Sequence, residues 1–127
     1  MVLHLNIINH LNMNDIEKIN YIFKTKIPSK EQIQPKIRQR RSQILVHSYL
    51  YYHLNHNIIS DDKWQQWANE LAFIQNKYKK YIKIDFFDNA FKGFDGTSGY
   101  YLPYTDPYVI KIANLLLKHE EEDRCSI

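Results

Sequence analysis

The residues from His47 to Trp64 gather the side chains of this chain that could do chemistry. Tyr51, Tyr52 and Trp64 are aromatic platforms on which a cationic pyridinium-type ring can stack. Asp61 offers such a ligand a negative charge or a contact to a ribose hydroxyl. The same residues also have a plainer reading, in which Tyr51 and Trp64 are core aromatics where two helices close and Asp61 caps a helix. His53 and His56 lie near Asp61 and Asp62, which are metal-ligand types, yet they flank a helix end and lack a third well-spaced ligand. The single cysteine, Cys125, excludes an internal disulfide and a cysteine-built zinc site.

Helices must position this cluster. Asn14 with Glu17 has the form of a helix start, and Ile16, Ile19, Ile22 and Phe23 recur at helical spacing, predicting a short helix to about Lys26 that Pro28 ends. Ser29 with Gln32 makes a second capping box, and Pro35 falls at a first turn or at a kink. From Lys36 the spacing predicts a long helix with Ile37, Ile44, Leu45, Tyr51 and Tyr52 on one broad face. Lys36, Arg38, Arg40 and Arg41 fall on the opposite, wet side. Ser60, followed by Asp61 and Asp62, opens the next helix, along which Trp64, Trp67, Leu71, Ile74 and Tyr78 step as a buried seam. These two helices, about 36–56 and 60–80, form an antiparallel hairpin.

Beyond Tyr81, Ile82 to Asp85 alternates too briefly to guarantee a strand. Residues 85–104 mix phenylalanines and tyrosines with Asp88, Asp95 and all three glycines, Gly93, Gly96 and Gly99. Such a stretch is long for a structureless loop. It either folds Phe87, Phe91, Phe94 and Tyr100 back onto the hairpin or presents a recognition surface. Thr105 or Asp106 caps a final helix that Pro107 starts, with Val109, Ile110, Ala113, Leu116 and Leu117 as its apolar stripe. Residues 1–12 and 119–127 read as frayed. The expectation is a single all-α domain over 1–127.

The hairpin resembles the N-terminal helical module of bacterial NAD-dependent DNA ligases, which closes over the nicotinamide mononucleotide half of NAD. Tyr51-Tyr52 matches that family's aromatic pair, Ile59-Ser60-Asp61 matches its turn, and Trp64 stands where the family has Tyr. The likeness covers roughly Ile37 to Tyr78, about a third of the chain. It implies Tyr51, Tyr52, Asp61 and Trp64 as cofactor-binding residues, with nicotinamide mononucleotide or NAD as the ligand. Two departures matter. Gln65 replaces the acid that closes the motif, and a carboxylate restored there reads as tolerated by the helix dipole. The Lys-x-Asp-Gly nucleophile string is absent; Lys92-Gly93-Phe94-Asp95-Gly96 has one residue too many. Phe94 to Gly99, followed by Leu102-Pro103, is similar to small ligase-related proteins of phages that carry the hairpin without a catalytic domain.

The composition fits this picture. With 127 residues, 44% hydrophobic and 24% charged, the chain is globular and of one-domain length. A formal charge of +3 is too mild for a dedicated nucleic-acid binder, although Lys36 to Arg41 and Lys77 to Lys83 form two basic patches. No apolar run reaches membrane-spanning length, and Met1 to His10 makes a poor signal peptide, so the expectation is a cytoplasmic protein. The leading functional expectation is a non-catalytic phage-type accessory module that binds a partner protein of replication, repair or NAD handling. The alternative is a nicotinamide mononucleotide or NAD module assisting a ligase in trans, or a nucleic-acid accessory factor.

Overall fold

The computed structural model describes residues 13–125, which form an all-α fold of four helices with no strand among them. Helix α1 spans Asp15–Phe23, α2 Lys30–Leu54, α3 Asp61–Lys77 and α4 Pro107–Cys125, with a 3₁₀ turn at Lys79–Tyr81. The expected fraying of 1–12 lies outside the described residues. Local chemistry sets the helix ends. Asn14 Oδ1 accepts from the Glu17 amide at 2.8 Å and opens α1, while Lys24, left-handed at φ 59°, closes it before Pro28 is reached. The Ser29 amide donates to Gln32 Oε1 at 3.0 Å, so α2 begins at Lys30 and not at Lys36. Pro35 sits inside α2, where its missing N–H removes one early rung of the ladder. Asn55, left-handed at φ 50°, ends α2.

Helix α2, about 37 Å long at 1.5 Å per residue, is the axis of the molecule. It packs against both α3 and α4, so every residue from Ile44 to Leu50 is buried. The expected single broad face therefore holds only for the first half of the helix. Tyr51 and Tyr52, placed on that face by spacing, are exposed at 46% and 39%. On α3 the buried residues are Gln66, Ala68, Glu70, Leu71, Ile74 and Gln75, whereas Trp64, Trp67 and Tyr78 are only partly covered. The core face of α3 is thus rotated from the expected aromatic seam. Asp106, through its Oδ1 bond to the Tyr108 amide at 2.9 Å, caps α4. Val109 and Ala113 bury the stripe of that helix. Helix α4 continues past His119 to Cys125, contrary to the expected fraying, and is braced by the His56 Nε2 to Glu120 Oε1 contact of 2.9 Å.

The largest departure from the sequence reading is Arg41. Expected on the wet face, it is 1% exposed. Its Nε donates to Gln75 Oε1 at 2.9 Å and its Nη2 to the Ile82 carbonyl at 2.9 Å. Its Nη1 donates to the Phe86 carbonyl at 2.7 Å and to Asp88 Oδ1 at 2.6 Å. Asp88 in turn accepts from the amides of Ile84 and Asp85 at 3.1 and 3.0 Å. Burial pushes the Asp88 carboxyl upward, but the Arg41 bond and these amides outweigh it and hold the group below the usual carboxylate range. Gln75 relays the network by donating to the Phe91 carbonyl at 3.1 Å. Around these anchors Phe86 and Phe91 are buried, while Phe87 and Phe94 are partly so. Tyr100, expected to fold back with them, is 56% exposed.

Replacing Arg41 by Met keeps the apolar length but strands two carbonyls and a carboxylate. Each buried acceptor left without its donor costs about 1–3 kcal/mol, which for the Ile82 and Phe86 carbonyls and Gln75 Oε1 together comes to about 3–5 kcal/mol. Urea unfolding should show a loss of that size for Arg41→Met and no more than about 1 kcal/mol for Arg38→Met, whose guanidinium only stacks on Phe86 at 3.9 Å. Equal losses would return Arg41 to the surface role that spacing suggests.

Candidate functional site

At the hairpin turn the ends of α2 and α3 enclose a cavity of about 200 Å³. All four residues singled out from the sequence, Tyr51, Tyr52, Asp61 and Trp64, line it. The last two turns of α2 give His47, Ser48, Tyr51 and Tyr52; the turn between helices gives His56 to Ser60; α3 gives Asp61, Trp64 and Gln65. Thr97 and Ser98 of the glycine-containing loop close the far wall.

Ser60 caps α3, its Oγ accepting from the Lys63 amide at 3.0 Å. Asp61 is therefore not the cap, and its exposed carboxylate is free to face the cavity mouth. The tyrosine pair is not core packing either. Tyr51 meets Tyr52 edge-on at 4.9 Å, and Tyr52 stacks on Tyr104 at 5.7 Å while touching Tyr100 edge-on at 5.3 Å. Tyr52 Oη also stands 3.5 Å from Ser98 Oγ, tying the end of α2 to the far wall.

The wall itself is built by close approach. Asp95 Oδ1 accepts from the amide and hydroxyl of Thr97 at 3.0 and 2.8 Å. Gly96, at φ +86°, lies against the Ala68 carbonyl, and a side chain at Gly99 would collide with Ser48 Oγ and crowd Trp64 at 3.1 Å. Gln65 Nε2 donates to the Gly96 carbonyl at 2.8 Å and to Asn69 Oδ1 at 3.0 Å. This overturns the expectation that a carboxylate is harmless at position 65, since it would set negative charge against two acceptors.

Among the lining residues that the sequence did not single out, two are both buried and polar. His47 and Ser48 form the floor, buried to 9% and 1% exposure, and neither His47 Nδ1 nor Ser48 Oγ has a hydrogen-bond partner among the described residues. The signal was present in the spacing, because 47 and 51, like 48 and 52, lie one turn apart on the same side of α2. The His47 ring packs on Trp67 at 5.5 Å, and burial drives its pKa down to about 4.

The suggested metal group is not assembled. His53 stacks on Tyr49 at 5.0 Å and His56 turns to Glu120. Among the described residues no group of three His, Cys, Asp or Glu could hold an ion. Half of the first basic patch is spent internally: Arg41 is buried and Arg40 pairs with buried Glu70 at 3.2 Å. In the second patch Lys77 pairs with Asp15 at 3.3 Å. The exposed Lys92 does not line the cavity. No described helix is long and apolar enough to cross a membrane.

The neutral floor has a consequence for acid stability. Folding lowers the His47 pKa from 6.5 to about 4, so between those values the unfolded chain binds the proton that the folded chain refuses. Stability should be full above pH 6.5 and fall toward pH 4 by up to roughly 3 kcal/mol. The loss of the Arg41–Asp88 pair follows at still lower pH, because the Asp88 carboxyl also titrates below its ordinary range. Melting curves of the parent and of His47→Gln across pH 4–7 check this; an equal slope in both would show that another group carries it.

No family model, curated protein or solved structure matches the chain.

Proposed function

We propose that this chain is a non-catalytic accessory module whose hairpin-turn cavity binds the nicotinamide mononucleotide part of a nucleotide. One observation carries the reading: Tyr51, Tyr52, Trp64 and Asp61, drawn from two helices, face one cavity whose lining holds a carboxylate and no lysine or arginine. That electrostatic balance suits a cationic ring and disfavours burial of a phosphate. At about 200 Å³ the cavity lies below the roughly 300–1,000 Å³ of drug-sized sites, so it admits a ring and leaves the phosphate at the mouth. The likeness of Tyr51 to Trp64 to the ligase helical module points to the same ligand. The lack of a Lys-x-Asp-Gly string supports binding without adenylate transfer.

Calorimetric titration with nicotinamide mononucleotide should give a saturable heat and quench the tryptophan emission, while adenosine monophosphate gives neither. Asp61→Asn should weaken binding about fivefold, the effect of one partly exposed charge worth about 1 kcal/mol. Absence of binding at millimolar ligand would refute the reading.

A second reading, capture of a replication, repair or NAD-handling protein, is favoured by the exposed tyrosines. Tyr101 is 93% exposed and meets Tyr100 edge-on at 5.1 Å beside the cavity rim. Tyrosine anchors of this kind carry much of the energy at protein interfaces. Under this reading a pull-down from bacterial lysate recovers one partner reproducibly, and Tyr101→Ala reduces its yield without shifting the melting temperature. Recovery of the chain alone would count against it.

A further inference from the structure

The floor of the cavity holds two polar atoms that the described protein leaves unanswered. Ser48 Oγ and His47 Nδ1 are enclosed and have no partner, and both residues line the cavity. An unpaired buried polar group costs about 1–3 kcal/mol, so each such atom is a demand that a ligand can meet. Both lie one turn below the tyrosine pair on α2, where the substituent of a ring resting on Tyr51 and Tyr52 would arrive. Gly99 packs against Ser48 so closely that a side chain there would collide with Oγ.

The chemistry of the floor is selective. Burial keeps the His47 imidazole neutral at pH 7. Whichever ring nitrogen carries the proton, Nδ1 lacks one partner, a donor or an acceptor. The Ser48 hydroxyl can donate to an adjacent acceptor. A primary carboxamide offers a donor and an acceptor side by side with no charge. A carboxylate offers acceptors alone, where a carboxamide can answer either tautomer, and it would add a second negative charge to a lining that already holds Asp61 and no lysine or arginine.

We propose that Ser48 and His47 form a specificity floor that selects ligands presenting an uncharged primary-carboxamide edge and rejects the corresponding carboxylates. This rests on the cavity being a ring-binding site, as argued above.

Three mononucleotides that differ only on the ring test it by calorimetry on the full chain: the carboxamide (nicotinamide mononucleotide), the carboxylate (nicotinic acid mononucleotide) and the unsubstituted pyridinium ribotide. The carboxamide should bind about tenfold or more tighter than either of the others, because a site built to hydrogen-bond a group penalises its absence. Ser48→Ala should cost the carboxamide about tenfold and leave the other two within about twofold. The melting temperature should hold, since Oγ has no partner to lose. Equal binding of the three leaves the ring-binding reading standing and overturns the floor. Preference for the carboxylate overturns the floor as well. If none binds, both readings fall together. Should Ser48→Ala fail to fold, the three-ligand comparison on the unaltered chain decides alone.

Discussion

A guanidinium buried beside a helical hairpin is the constraint on which the rest of this molecule depends. Residues 82–106 form no helix or strand, and much of their backbone must find hydrogen-bond partners elsewhere. Arg41 supplies two of them, at the Ile82 and Phe86 carbonyls, and fixes Asp88, which then orders the amides of Ile84 and Asp85. The strain held there is visible. Asp85 and Phe87 both sit at φ 56°, a left-handed conformation that costs a non-glycine residue about 1–2 kcal/mol. A planar, permanently charged fork reaches all four acceptors of Arg41 from three nitrogens, whereas a lysine ammonium has three donors on a single nitrogen.

Glutamines extend the same device along the chain. Gln34 donates to the Tyr81 carbonyl at 3.0 Å, Gln75 to Phe91 and Gln65 to Gly96. The long connection is thus held to the helices by side-chain amides at intervals, and the last of these sets the Thr97–Ser98 wall of the cavity. The site is therefore as rigid as the clamps behind it. The opposite side is braced separately, where His56 reaches Glu120 of α4 and Ser60 takes the capping role that leaves Asp61 available.

Which features were legible in the sequence follows from this arrangement. Helix starts were readable at Asn14 and Ser29 because capping is local, settled within three or four residues. The meeting of Tyr51, Tyr52, Asp61 and Trp64 was readable because a tight turn between two helices leaves few other geometries. Arg41 was not readable, since its acceptors at Gln75, Ile82, Phe86 and Asp88 lie more than thirty residues away and no periodicity announces a buried charge. The second half of α2 misled for a related reason. Covered by other elements on several sides, Ile44 to Leu50 have no polar face to report, and periodicity then carries a false face on to the exposed Tyr51 and Tyr52. Gln65 looked like a simple loss of an acid, and its gain became visible only once Gly96 was placed against it.

On the proposed reading, the small-molecule and protein-binding possibilities belong to one surface. A ring held between the tyrosine pair and Trp64, with its substituent on the floor, must direct its sugar and phosphate out of the mouth. The lining offers hydroxyls at Ser60, Thr97 and Ser98 but no cation to retain a phosphate. The rim at that mouth is Tyr51, Tyr52 and Tyr100, all exposed, with Tyr101 beyond them. A partner seated on these aromatics would cover the phosphate and supply the positive charge that the cavity lacks. If the site holds a nucleotide's ring, the absence of lysine and arginine from its lining assigns the phosphate's counter-charge to a second macromolecule at its edge.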